Sequence, residues 1–130
     1  MIELSVRTAA REQAVDLTER IQSEIARCRA ETGACLVYCP HTTAGLTINE
    51  ATDPAVMSDL FTHLSRTVSD DGPWTHAEGN APAHVKSTLV GSSVFIGIKD
   101  GRLDLGLWQG IFLCEFDGPR HRVIRLRILA

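Results

Sequence analysis

Two short turns in the C-terminal part of the chain leave little choice of fold. Lys99-Asp100-Gly101-Arg102 separates the apolar runs 94–98 and 103–108, and Asp117-Gly118-Pro119-Arg120 separates 110–116 from 121–129. Asp-Gly between two such runs is a strong hairpin signal, because both central residues of a type I′ turn need positive φ. The chain is therefore expected to end in antiparallel strands. Residues 2–8 alternate in the same way, with Ile2, Leu4 and Val6 on one side and Glu3, Ser5 and Arg7 on the other, which reads as a half-buried strand.

Between these strands the period changes. Ala14, Leu17, Ile21, Ile25 and Cys28 recur at three- and four-residue steps, so a helix is expected from about residue 10, with Gly33 as its left-handed stop. Residues 34–39 read as a buried strand that Pro40 interrupts, and a further strand carries Leu46 and Ile48. Asp53-Pro54 opens a second helix, since Asp caps and Pro suits the first turn. That helix turns Met57, Leu60, Phe61 and Leu64 inward. A polar loop spans 69–80. Asn80 is expected to cap a short helix over 81–90, with Gly91 as its stop. Helices in the first two thirds and strands in the last give one α+β domain over residues 1–130, a mostly antiparallel β-sandwich with two longer helices and one short one.

Charge and apolar patterning exclude several classes. A net charge of −3 does not suit a nucleic-acid binder. No run reaches the roughly 18 apolar residues of a membrane span, and no signal-peptide layout opens the chain, so a cytoplasmic protein is expected. Cys28, Cys35, Cys39 and Cys114 fit neither a zinc ribbon nor a CxxC pair, and they read as reduced, mostly buried small hydrophobes. Trp108 reads as a core residue. Arg125 and Arg127 read as the exposed basic face of a strand. Glu115 and Arg120, bracketing the final turn, suit an internal ion pair as well as a ligand contact.

Three of the five histidines stand where chemistry needs them. His41 follows Pro40 at a strand break, His76 lies in the long loop, and His84 lies one turn into the short helix. Three imidazoles from separate elements can hold a divalent metal with a fourth position open, and zinc suits that donor set best. Three unrelated surface histidines are the plain alternative. Glu78 could act as a base beside them. The helix start at Gly79-Asn80 and the nearby Lys86 could attract a phosphate or carboxylate, as Thr42, Thr43 and Asn49 could bind a ligand oxygen. Each also has an ordinary structural use.

The segments His41-Thr42-Thr43-Ala44-Gly45-Leu46-Thr47-Ile48-Asn49-Glu50, His76-Ala77-Glu78-Gly79-Asn80 with Ala83-His84-Val85-Lys86, and Gly110 through Arg120 together resemble the YjbQ family, also called secondary thiamine-phosphate synthase enzymes. The resemblance covers nearly the whole chain. It implies an α+β sandwich, a homotrimer, and a polar pocket carrying His41, His76 and His84. It also implies a low thiamine-phosphate synthase activity, the coupling of a thiazole phosphate with a pyrimidine diphosphate. On that reading Glu78 and His84 are the catalytic candidates, the three histidines the metal candidates, and Thr42, Thr43, Asn49, Gly79, Asn80, Lys86 and Arg120 the ligand-binding candidates for a phosphorylated or anionic small molecule. A metal-dependent hydrolase with Glu78 as base, and a non-catalytic metal or metabolite binder, remain as competitors.

Overall fold

The computed structural model describes residues 1–130. In chain order the elements are β1 (Ile2–Arg7), β2 (Gln13–Asp16), α1 (Thr18–Arg27), β3 (Thr32–Tyr38), β4 (Ala44–Glu50), α2 (Pro54–Thr67), α3 (Ala81–Val90), β5 (Ser93–Lys99), β6 (Arg102–Leu103), β7 (Gln109–Glu115) and β8 (His121–Leu129). The strands form an antiparallel five-stranded sheet, β1-β8-β3-β5-β6, and an antiparallel three-stranded sheet, β2-β7-β4. This is the α+β arrangement with two sheets and three helices that the turn signals required.

Alternation along the strands decides where the core sits. Leu4, Val6, Cys35, Val37, Ile96, Ile98, Ile124 and Leu126 of the larger sheet meet Ala44, Leu46, Ile111 and Leu113 of the smaller one, and Leu17, Ile21 and Ile25 at and within α1 close the same cluster. β7 is buried on both faces. Its other side chains, Phe112 and Cys114, join Phe116, Met57 and Ala83 in a second cluster beneath α2 and α3. The helices therefore cover the smaller sheet, while Tyr38 and Phe95 remain exposed on the larger one. Asp53 caps α2 by accepting the Ala55 N–H at 3.0 Å. Asp100 and Gly101 take the positive φ values of 52° and 75° that their turn needs. No helix is long and apolar enough to cross a membrane.

Several expectations fail for physical reasons. The first helix does not begin near residue 10. Residues 13–16 pair with β7 instead, so Ala14 belongs to an edge strand, and the Asp16 carboxylate accepts the Thr18 N–H at 2.9 Å where the helix starts. Gly33 lies within β3; the left-handed residue after α1 is Arg29, at φ 54°. The strand expected over 103–108 pairs only at Arg102–Leu103. Trp108 is 59% exposed and is not a core residue. Cys28 is exposed, while the other three cysteines are buried. Burial pushes the Cys35 thiol up to about 11, helped by Cys28, and the Cys114 thiol up to about 12, helped by Cys39. Both are inert thiols at neutral pH.

Candidate functional site

At one end of the space between the two sheets the buried side chains are polar. Arg122 keeps phase with Ile124 and Leu126 on β8, so its side chain enters the space between the sheets, and Glu115 keeps phase with Ile111 and Leu113 on β7 and enters from the other side. They meet as a buried ion pair, with side chains 4% and 0% exposed. Arg122 Nε donates to Glu115 Oε1 at 2.9 Å, and Nη2 donates to Oε2. The same Nη2 reaches Thr43 Oγ1 at 2.8 Å. Glu115 also accepts from the Thr8 hydroxyl at 2.8 Å and the Asp117 N–H at 3.1 Å. Burial alone would raise the Glu115 carboxyl; the bonds from Arg122, Thr8 and Asp117, with the Arg122 charge, outweigh it and hold the group below its ordinary value.

His41 sits beside this pair in the segment between β3 and β4. Its Nε2 lies 3.0 Å from the Val123 N–H and 3.2 Å from the Val123 carbonyl, on a stretch of β8 that β3 no longer reaches. The ring thus replaces a strand neighbour. Nε2 accepts in one tautomer and donates in the other, and either way Nδ1 is the nitrogen left for a ligand. Burial first, and then the Arg122 charge, lowers the His41 pKa, so the ring is neutral at pH 7.

A pocket of about 320 Å³ opens above these groups, and its lining is polar apart from the Pro40 ring. His41, Thr42 and Thr43 form one wall, Arg120 and Arg122 a second, and Glu78, Asn80 and His84 a third. An adjoining cavity of about 440 Å³ shares His41, Thr42 and His84 and continues along α3. Pro82 and Gly45 let α3 sit close to β4: a β-carbon on Gly45 would lie 2.6 Å from the Gly91 carbonyl oxygen. His76 lines neither cavity; its ring stands edge-on to that of His84 with centres 5.0 Å apart, and its Nε2 lies 3.8 Å from Glu78 Oε2.

The remaining candidates are placed elsewhere or otherwise engaged. Asn49 lies at the far end of β4 and its Oδ1 accepts the Glu50 N–H at 2.8 Å, so it is not at the pocket. Lys86 is buried on the opposite side of α3, with Nζ 2.7 Å from Glu12 Oε2, and it brings no charge to a ligand. The Asn80 side chain does not cap α3; its amide donates to Asp117 Oδ2 at 2.8 Å. The α3 N-terminus is not a cradle of free donors either, because Pro82 has no N–H and the Ala83 and His84 N–H groups return to the Asn80 carbonyl. Gly79 adopts φ 78° between Glu78 and Asn80 and serves to turn the chain. Arg120 is at the pocket but pairs with Asp117 at 2.9 Å, not with Glu115.

No set of three or more His, Cys, Asp or Glu side chains is gathered as a metal-binding group. Two imidazoles on one tetrahedral ion stand with ring centres roughly 5 Å apart, so His76 and His84 suit a shared ion. A resident zinc centre takes three or four protein ligands, and this chain by itself does not complete one.

With the geometry in place, likeness to known proteins becomes informative. The family model for UPF0047 protein YjbQ-like matches residues 2–130. The chain belongs to the YjbQ/UPF0047 family. It is 46% identical to UPF0047 protein MJ1081 of Methanocaldococcus jannaschii, covering 99% of this chain and 94% of that protein. It is 42% identical to UPF0047 protein YugU of Bacillus subtilis, covering 97% and 96%. A YjbQ/UPF0047 crystal structure from Clostridium acetobutylicum superposes with a TM-score of 0.97 at 43% identity, over 99% of this chain and all of that one. One from Sulfolobus solfataricus, described as a YbjQ-like protein of unknown function, gives 0.94 at 32% identity over 99% and 95%.

Within this YjbQ chain, the pocket-lining residue that sequence reasoning left within the C-terminal cluster of arginines, with no partner of its own, is Arg122. The signal was present. Arg125 and Arg127 fall on the solvent phase of β8 and are exposed, but Arg122 falls on the core phase with Ile124 and Leu126. An arginine in phase with core residues must find a buried anion, which points to Glu115.

Proposed function

We propose that this YjbQ protein is an enzyme acting on a phosphorylated or otherwise anionic small molecule, bound in the pocket between His41 and His84. The observation that carries this reading is the pocket's lining, polar apart from Pro40, with two imidazoles, a carboxylate and two guanidiniums around one small volume. His84 and Glu78 are the groups placed to move a proton, since neither is fixed in the buried network, and His41 supplies its Nδ1 to a ligand oxygen. Arg120 and Thr42 hold the ligand's polar end.

Thiamine-phosphate coupling is a slow side reaction on this reading. In it a thiazole nitrogen displaces diphosphate from a pyrimidine methyl carbon, and the catalyst must stabilise the departing diphosphate. Here both guanidiniums already face carboxylates. A turnover panel of thiamine precursors and phosphate esters tests the proposal, run on the wild type, His84→Ala and Glu78→Gln. The expected result is a substrate whose turnover falls by about 10²–10⁴ in His84→Ala. Equal turnover in that variant, or no turnover of any phosphate ester, refutes it.

A second reading has one observation behind it: His76 and His84 stand at the spacing of a shared ion. Zinc would then bridge them, with other positions filled by the ligand or a neighbouring chain. Zinc raising the Tm of the wild type but not of His76→Ala supports this reading, and equal shifts remove it. We also take the protein to act as a homotrimer, supported by the uncovered Tyr38 and Phe95 on the larger sheet. Light scattering from a stable monomer would remove that part.

A further inference from the structure

Arg122 has one nitrogen that the fold does not use. Its side chain is 96% buried, and its partners take Nε and Nη2 alone: Glu115 on both, Thr43 Oγ1 at 2.8 Å and the Thr43 carbonyl at 3.2 Å on Nη2. No protein acceptor meets Nη1. Yet the one sealed side-chain polar atom without a partner is Asn80 Oδ1, so Nη1 is not sealed. Arg122 lines the polar pocket, and the part of it that stays accessible is this free end. Leaving two N–H donors of a guanidinium unbonded in a buried position costs free energy unless something visits them.

We infer that Arg122 Nη1 is the anchor of the ligand's oxyanion, and that the site takes an oxyanion of one or two charges, a carboxylate or a phosphate monoester, in preference to the more highly charged diphosphate. This rests on the pocket being the ligand site proposed above. The preference follows from the charges. Two guanidiniums, Arg120 and Arg122, face three carboxylates, Asp117, Glu115 and Glu78, around the pocket. His41 is neutral at pH 7, because burial and the Arg122 charge lower its pKa. Lys86 is committed to Glu12. A ligand oxygen is thus met by aimed hydrogen-bond donors, not by surplus positive charge. Each additional negative charge enters against the carboxylates, with no cation but a protonated His84 left to answer it. Glu115 has a second part in this. Its bidentate grip fixes the guanidinium plane, so Nη1 points outward without rotamer freedom to lose on binding.

The test is an NMR titration of uniformly 15N-labelled wild-type protein with inorganic phosphate, acetate and pyrophosphate. It follows the Arg122 side-chain N–H signals and the His41 and His84 ring nitrogens. Phosphate or acetate should move Arg122 and the two imidazoles along one binding curve, with affinity at least about tenfold above that for pyrophosphate. If the imidazoles move and Arg122 does not, the pocket binds but the anchor is misassigned, and the inference fails while the proposed function stands. Pyrophosphate binding more tightly than phosphate overturns the preference for the lower charge. No response to any of the three overturns the inference and the pocket reading together. Arg122→Lys gives a second arm, since an ammonium has no planar fork to grip Glu115 with two nitrogens while a third faces the ligand. Phosphate affinity should fall at least about tenfold with the circular dichroism spectrum unchanged. Undiminished affinity in a folded variant overturns the assignment, and the wild-type titration decides it should that variant not fold.

Discussion

Replacing Glu115 with alanine should do more damage than any other single change at this end of the molecule. The carboxylate is fully buried and receives Arg122 through two nitrogens, the Thr8 hydroxyl and the Asp117 N–H. Its removal leaves a 96%-buried guanidinium with only Thr43 to answer it. Breaking a buried pair on one side typically costs about 3–5 kcal/mol. A chain of 130 residues unfolds with an entropy of roughly 0.27 kcal/mol per kelvin near its midpoint, so that loss lowers Tm by about 11–18 °C. Calorimetry at pH 7 measures it. The double variant Glu115→Leu with Arg122→Met separates the cost of the orphaned charge from the worth of the pair, because apolar replacement of both partners is commonly neutral or stabilising. The same carboxylate fixes a pH limb. Its folded pKa lies below the unfolded one, so its contribution is complete above the unfolded value and drains away as pH falls through the folded value. The wild type should therefore lose stability below about pH 5, and the double variant should lose less over that window. A Glu115→Ala cost under about 1 kcal/mol would refute the picture of a desolvated, mutually dependent pair.

Three other outcomes follow from the same coordinates. The His41 ring should titrate below the ordinary 6.5 in a carbon-detected NMR series, because burial and Arg122 disfavour its charged form; a midpoint above that value would contradict its placement. Lys86→Met should cost about 1–2 kcal/mol, scaled down because Glu12 is 29% exposed, and should leave phosphate affinity within about twofold. A tenfold loss of affinity there would return Lys86 to the site. Gly45→Ala should cost about 1–3 kcal/mol, and it should weaken phosphate binding as well, since the new methyl forces the α3 end at Val90 and Gly91 away from β4 and carries His84 with it. Unchanged Tm and affinity would show that the α3 contact is loose.

The parts of this fold that could be read from the chain are those set by local rules. Asp100-Gly101 demanded a turn with positive φ and took one, and Asp53-Pro54 opened a helix. The errors came where tertiary pairing overrode a local pattern. Ala14 sits in phase with Leu17 and Ile21 on helical spacing, yet residues 13–16 gain a complete set of partners along β7, a choice visible only once β7 is known to be buried on both faces. Residues 103–108 alternate like a strand, but among them only Leu103 pairs with β5, so Trp108 is left in solvent.

The site divides along the same line. His41, His84 and Glu78 were legible as residue types capable of chemistry, and they do border one cavity. Which neighbours they would have was not legible, because that depends on the phase of two strands from different sheets. Lys86 and Arg122 show the consequence. Both are basic, and each lies close in sequence to a histidine, Lys86 to His84 and Arg122 to His121. The turn of α3 sends Lys86 behind the helix into Glu12, whereas the alternation of β8 sends Arg122 between the sheets, where Glu115 takes two of its nitrogens and leaves the third facing the pocket. Charge counted along the chain points to the C-terminal arginines as a group as well as to the lysine, without telling which cation keeps a donor free. Counted by which cation retains an unused donor next to a cavity, the arginine takes that place, and the count can be repeated on any pocket whose walls are built from ion pairs.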